Sequence, residues 1–153
     1  MVAETASGAT VPPARDGLSR RDRALYGLLW AGLLAVLATA AMLRPDPSGL
    51  GTHTHLHLPP CGFYLALGKP CPSCGMTTAF TWMMHGQPVR AFEAQPAGVA
   101  VFLSALALWL YLPLAWVRRR PAAHLLDLRA TLPVVMALNA LILGVWVWRL
   151  VTW

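Results

Sequence analysis

The stretch ALYGLLWAGLLAVLATAAML, residues 24–43, decides the fold class of this chain. It holds no charged side chain, and Arg20, Arg21 and Arg23 stand directly before it. An α-helix of about 20 residues is about 30 Å long, which is the thickness of the apolar core of a bilayer. The stretch therefore predicts a first transmembrane helix.

A cleaved signal sequence is the alternative explanation for this stretch. Ser19-Arg20-Arg21 precedes the apolar run and Ala38-Thr39-Ala40 lies near its end, as in a twin-arginine signal peptide with an A-x-A cleavage site. The apolar region of a signal peptide is typically about 7–15 residues long. Since this run is longer, we expect the helix to be retained.

Two further apolar stretches of spanning length follow, at residues 96–117 and 132–151. The chain has 153 residues, of which 57% are hydrophobic and 12% are charged, whereas about 25% of residues are charged in a typical soluble domain. So little charge cannot cover the surface of a soluble protein. We therefore predict an all-α integral membrane protein with three transmembrane helices.

The arginines indicate orientation rather than nucleic-acid binding. The formal net charge is +6, but the arginines are concentrated before the first span and in the loop 118–130, next to apolar stretches. Loops rich in Lys and Arg stay on the cytoplasmic side. We predict that residues 1–23 form a disordered cytoplasmic tail and that residues 24–153 form a single membrane domain. Within it, the segment 44–95 is expected to be extracytoplasmic and to carry short half-helices.

Polar and aromatic side chains mark the third span. Asn139 is an amide in mid-span, for which we predict a hydrogen bond to a neighbouring helix. Arg149 lies within one turn of the end, so its side chain is expected to reach the lipid headgroups. Trp146, Trp148 and Trp153 fit an aromatic belt at the same interface.

The segment CPSCG, residues 71–75, is compatible with two geometries. In the first, Pro72 occupies the first position of a helix that Cys71 caps, and the helix dipole favours a reactive thiolate. In the second, Gly75 forms a tight turn that directs both sulfurs toward one metal ion. The first geometry suits a redox dithiol, and the second suits a metal-binding knuckle.

Further cysteine and histidine residues share the predicted outer segment with this motif. Cys61 supplies a third thiol, and we expect it to lie within reach of the other two. Zinc takes four tetrahedral nitrogen or sulfur ligands. The candidate metal ligands are Cys61, Cys71, Cys74, His53, His57 and His85. Since there is only one C-x-x-C pair, a disulfide and a solvated histidine loop are the alternatives.

The stretch CGFYLALGKPCPSCGMTTAF, continued by HGQPVRAFEAQP, resembles a bacterial membrane-protein family, the domain of unknown function 2752 family. The resemblance covers roughly residues 61–96. The residues on the family pattern are Cys61, Cys71, Pro72, Cys74, Gly75, Met76, Thr77, Gly86, Ala91 and Pro96. The chain departs from the pattern at Thr78, where Arg is usual, at Gln87, where Asp is usual, and at Gln95, where Asn is usual. The resemblance implies a small multi-pass protein of a bacterial inner membrane and implies no reaction.

Two classes of function follow from these observations. The favoured one is a membrane protein whose outer Cys/His cluster forms a structural zinc or disulfide site and supports a protein partner or a homo-oligomer. The alternative is a membrane thiol–disulfide oxidoreductase or electron-transfer protein that uses Cys71 and Cys74; metal handling through the histidines is a weaker third. The chain shows no Ser/His/Asp constellation, phosphate loop or carboxylate pair, which argues against hydrolytic and phosphoryl-transfer chemistry. Because its apolar stretches are of spanning length and its arginines flank them, we expect the lipid bilayer, and no nucleic acid, among its partners.

Overall fold

The computed structural model describes residues 18–49, 52, 59, 61–125 and 127–152, so that most of the predicted tail and Trp153 lie outside the described residues. The described residues contain six α-helices and no strand, which confirms the predicted all-α class. The helices are α1 (Arg20–Met42), α2 (Gly62–Leu67), α3 (Met76–Met84), α4 (Pro88–Ala94), α5 (Pro96–Val117) and α6 (Leu128–Thr152). A 3₁₀ turn at Ala122–His124 lies between α5 and α6.

Three of these helices have the length and composition of membrane spans. They are α1 with 23 residues, α5 with 22 and the part of α6 from Arg129 to Thr152 with 24, and their mean hydropathies are 1.9, 2.0 and 2.0. Each exceeds the roughly 20 residues that a bilayer core requires. The prediction of three transmembrane helices is therefore confirmed for length and composition.

Two of the spans begin earlier than the sequence predicted, because polar side chains cap them. The Ser19 hydroxyl accepts a hydrogen bond from the Asp22 amide at 3.1 Å, and the Asp22 carboxylate accepts one from the Ser19 amide at 3.2 Å. This reciprocal capping box starts α1 at Arg20, inside the predicted tail. Asp127 in the same way accepts a hydrogen bond from the Arg129 amide at 3.1 Å, next to the start of α6.

α1 and α5 pack together at the end of the bundle that carries the arginine-rich loop. Tyr26 is fully buried there, and its hydroxyl donates to the carbonyl oxygen of Arg120 at 3.0 Å. Trp30 stacks on Trp109 with ring centroids 5.7 Å apart. The first contact fixes the loop that follows α5 against α1, and the second holds the two helices together.

α3 and α4 form a small layer at the opposite end of α5. Its core consists of buried Ala79, Trp82, Ala91 and Ala94. The approach is close because the side chains are small: a Cβ atom on Gly98 of α5 would lie 2.9 Å from that of Ala79. This tight layer positions the loop that precedes α3, which contains the CPSCG motif.

α6 packs along α5 and leaves most of its surface uncovered. Among the described residues, Asn139 does not form the predicted hydrogen bond to a neighbouring helix of its own chain. The Asn139 side chain is exposed, and its Nδ2 donates to the carbonyl oxygen of Val135 in the same helix at 2.8 Å. The reason is rotational: α6 turns Leu138 and Ile142, which are half-buried, toward the rest of the bundle.

Candidate functional site

Three cysteine sulfurs converge at the start of the α3–α4 layer. The Sγ atoms of Cys61, Cys71 and Cys74 all lie within 4.8 Å of one another. Cys61 directly precedes α2, and the other two lie in the loop between α2 and α3. The prediction that Cys61 lies within reach of the C-x-x-C pair is confirmed. Among the described residues, these three form the group that could hold a metal ion.

The CPSCG motif is a double turn and not the first turn of a helix. The amide of Cys74 donates to the carbonyl oxygen of Cys71 at 3.1 Å, and the amide of Met76 donates to that of Ser73 at 3.1 Å. α3 begins only at Met76. The interpretation of Cys71 as a helix cap with Pro72 in the first helical position is therefore wrong, and the turn geometry is the observed one.

Gly75 explains why the helix starts so late. Its φ is +90°, in the left-handed region that side-chain-bearing residues rarely adopt. A Cβ atom at this position would lie 2.8 Å from the carbonyl oxygen of Ala94 and 2.9 Å from that of Gly49. Gly75 therefore allows both the turn and the close approach of two backbone segments to it.

The sulfurs line a cavity of about 320 Å³, together with Ser73 and the first residues of α3 up to Thr78. Cys74 is buried, whereas Cys61 and Cys71 are half-buried. The Sγ atoms of Cys71 and Cys74 are 2.8 Å apart. One thiol of the pair is therefore accessible from the cavity while the other is held behind it.

The two thiols of the pair differ in acidity. Burial disfavours the Cys71 thiolate, but hydrogen bonds from the Cys74 thiol, the Ser73 hydroxyl, Cys61 and the Ser73 amide outweigh it and lower the pKa of Cys71. Burial, and next the hydrogen bond to Cys71, raise the pKa of Cys74 to about 12. Cys71 is therefore the first of the two to ionise.

Residues 61–109 match the family described as Protein of unknown function (DUF2752). This stretch of the chain is similar to that family over about a third of the sequence. The matched region begins at the first cysteine of the cluster and ends within α5, so it contains all three sulfurs. This confirms the resemblance that the motif indicated. No curated protein and no solved structure matched the chain.

Gln95 lies inside the matched region and holds the motif in place. Its side chain is buried, and its Nε2 donates to the carbonyl oxygen of Pro72 at 3.0 Å. Gln95 also directly precedes α5. Sequence analysis identified Gln95 only as a departure from the family pattern and missed its role in positioning the motif. Its location directly before a predicted span could have indicated that role.

Two side chains of α6, beyond the matched DUF2752 region, also bind the loop. Trp146 Nε1 donates to the carbonyl oxygen of Pro70 at 3.0 Å, and Arg149 donates to that of Cys74 at 3.1 Å and to Gln95 Oε1 at 3.5 Å. The expectation of a headgroup contact for Arg149 is therefore wrong, whereas the aromatic belt that includes Trp146 stays a prediction. Both side chains turn inward because the motif exposes carbonyl oxygens beside them.

Of the predicted histidine ligands, His85 is the one that the structure describes. His53 and His57 lie outside the described residues. His85, at the end of α3, has its Nδ1 2.8 Å from the carbonyl oxygen of Thr81 and does not join the three sulfurs. The role of each histidine as a ligand stays a prediction.

Thr78 occupies the position where the DUF2752 pattern usually has arginine. It is buried, and its hydroxyl lies 2.8 Å from the hydroxyl of Thr52, which also accepts a hydrogen bond from the Asp46 amide at 3.0 Å. Thr78 also lines the sulfur cavity. The pair therefore anchors the chain that precedes the histidine run beside the site.

Proposed function

We propose that this chain is a structural metal-site protein of the membrane, in which Cys61, Cys71 and Cys74 bind a zinc ion. The observation that carries the proposal is the convergence of three sulfurs on a CPSCG double turn. The zinc would tie α2 to the start of α3 and so hold the segment between the first two spans in one shape. That segment would then serve a protein partner in the membrane or outside it.

The donor set fits zinc in chemistry and in size. Zinc–sulfur bonds of about 2.3 Å separate the sulfurs of a tetrahedral site by about 3.8 Å. The observed spread of up to 4.8 Å brackets this value, and the 2.8 Å between Cys71 and Cys74 requires an opening of the pair by about 1 Å. The cavity beside the sulfurs leaves room for that change.

The amide of Ser73 supports a thiolate at the first cysteine. It donates a hydrogen bond to the Cys71 sulfur, and such contacts stabilise the negative charge that zinc-bound sulfur carries. Gly75 keeps the turn that makes this contact available. The loop therefore supplies two of the proposed zinc ligands and also the backbone amide that stabilises one of them as a thiolate.

For the fourth ligand we propose His53 or His57. The support is the position of the described residues that flank them: Thr52 bonds Thr78 at the cavity, and Cys61 contributes a sulfur to the cluster. Because both flanking residues lie at the site, we propose that one of these histidines reaches the three sulfurs. His85 is held at the far end of α3 and is the natural control.

Exposed apolar side chains support an interaction role for the outer segment. Tyr64 and Leu65 on α2 and Val89 and Phe92 on α4 are uncovered by the rest of the chain. We propose that the membrane is the bacterial inner membrane, that the N-terminus is cytoplasmic and that this segment is extracytoplasmic. The arginine distribution of the sequence supports that orientation.

Elemental analysis of the purified full chain tests the proposal. We expect about one zinc ion per chain, lost in each of the variants Cys61→Ser, Cys71→Ser and Cys74→Ser. Ser73→Ala alters the same loop without removing a ligand and should keep the metal, as should His85→Ala. A wild-type chain that is purified reduced, contains no zinc and takes up none on titration would refute the metal site.

A thiol–disulfide exchange function is the second candidate, and the accessibility of Cys71 in front of buried Cys74 favours it. In this mechanism the Cys71 thiolate attacks a disulfide of a partner protein and releases one partner thiolate. Cys74, after losing its proton, then attacks the Cys71 sulfur and releases the second partner thiolate. The partner gains two electrons, and this chain keeps a Cys71–Cys74 disulfide. Mass spectrometry after alkylation would then find Cys71 and Cys74 joined in a disulfide, and elemental analysis would find no zinc.

A further inference from the structure

Asn139 places a polar group on the uncovered side of the third span. Its Nδ2 donates to Val135 in the same helix, and its carbonyl oxygen has no hydrogen-bond partner among the described residues. Asn139 is about 15 Å along the helix from Arg129, near the middle of the bilayer. Lipid chains offer no hydrogen bonds, so an amide at this depth favours contact with another polar group.

The residues around Asn139 form one continuous apolar face. Apolar side chains are exposed around most of α6, Val134, Leu141 and Trp148 among them. Those that follow a spacing of three or four positions through Asn139 share its side of the helix. The face, which we call the Asn139 face, consists of Leu132, Met136, Asn139, Leu143 and Val147. Met136 is 63% exposed and Leu143 is 53% exposed, so the rest of the chain does not cover the residues that flank the amide.

We propose that the Asn139 face is a homodimer interface, in which two copies of the chain pair their Asn139 side chains across a two-fold axis. An amide carries both a donor and an acceptor, so two identical amides satisfy each other reciprocally. Two copies inserted with the same topology carry Asn139 at the same depth, which a two-fold axis along the membrane normal requires. Interhelical hydrogen bonds and close packing are the forces that associate helices within lipid.

The inner contacts of α6 are compatible with this arrangement. Trp146 and Arg149 hold the end of the helix against the cysteine loop of their own chain. The face toward the second copy is therefore presented by a helix that is already fixed in orientation. The interface does not require any residue of the sulfur cluster, so it is independent of the proposed metal function.

Energy transfer between labelled copies of the full chain in liposomes tests the proposal. One population carries a donor and the other an acceptor at the N-terminal amino group, and the protein-to-lipid ratio is varied. We expect wild-type transfer above the level of random proximity, and we expect Asn139→Leu to weaken association about three- to tenfold. Because leucine makes the span more apolar, this variant should insert normally.

Two control variants separate the amide from general effects. Asn139→Gln keeps a donor and an acceptor and should retain association. Ser104→Ala removes a polar group from α5, where the hydroxyl bonds the Ala100 carbonyl of its own helix, and should change nothing. Energy transfer by the wild-type chain at the level of random proximity would overturn the proposal and is the result expected if the face binds a partner other than a second copy. Equal association of Asn139→Leu and wild type would also overturn it.

Discussion

The side-chain amide of Gln95 and the carbonyl oxygen of Pro72 are joined by a hydrogen bond of 3.0 Å across 23 positions of the chain. This contact links the first residue before the second span to the turn between the two paired cysteines. The position of the sulfurs is therefore set by the bundle and not by the loop alone.

Gln95→Leu should destabilise the protein by about 1–3 kcal/mol, because it leaves the Pro72 carbonyl without its donor and removes an acceptor from Arg149. Thermal unfolding in detergent measures the change. Gln87→Leu makes the same replacement at an exposed position before α4 and should stay within about 0.5 kcal/mol of wild type. Equal stability of the two variants would show that the contact does not hold the loop.

Gly75→Ala should lower stability by about 1–3 kcal/mol from the backbone conformation alone. The clash of its Cβ with the carbonyl oxygens of Ala94 and Gly49 adds to this. Gly32→Ala is the matched control, since a Cβ there meets no atom within 4 Å and α1 is helical at that point. The control should be neutral or stabilising by up to about 1 kcal/mol. A normal melting temperature for Gly75→Ala would contradict the turn geometry.

Arg149→Lys should weaken zinc binding by about tenfold, because lysine keeps the charge and loses the planar donor set that reaches the Cys74 carbonyl and Gln95. Competition with a zinc-binding dye measures the affinity. Arg129→Lys, on an exposed residue near the other end of the same helix, should have no effect. If both variants bind zinc like wild type, the third span does not support the site.

Zinc removal should loosen the cysteine loop and the adjoining layer before it affects the spans. A chelator should therefore speed hydrogen exchange in α2 and α3 and lower the melting temperature. Re-addition of zinc should restore both. Each Cys→Ser variant should behave as the chelated wild type does and should not respond further to the chelator. An unchanged exchange pattern after demonstrated metal loss would argue against a structural role.

An impermeant thiol reagent should label the cysteine cluster in intact, reduced and chelator-treated cells, since the arginine distribution predicts that the segment is extracytoplasmic. A cysteine added by Pro121→Cys, in the exposed loop after α5, should be labelled only after lysis. Mass spectrometry of the labelled peptides reads out both. Labelling of Pro121→Cys in intact cells, with labelling of the cluster only after lysis, would show that the topology is the opposite of the predicted one.

The sequence was sufficient for the three spans because their apolar length is a property of composition. It was not sufficient for the start of α3. Pro72 favours a helix start, but Gly75 is placed in a left-handed turn by the backbone of Ala94 and Gly49, which lie far from it in sequence. The contacts of Trp146 with Pro70 and of Arg149 with Cys74 are similarly long-range, so local sequence rules did not predict either contact.

The contacts of Trp146 and Arg149 also impose an order on biosynthesis. The donors follow their acceptors by 76 and 75 positions in the chain. A ribosome that adds roughly 5–20 residues per second needs on the order of 4–15 seconds to reach them. During that interval the cysteines are already made while the helix that locks their loop is still being synthesised. Nascent chains therefore pass through a stage in which the thiols are open to metal delivery or to oxidation, and insertion of the last span closes it.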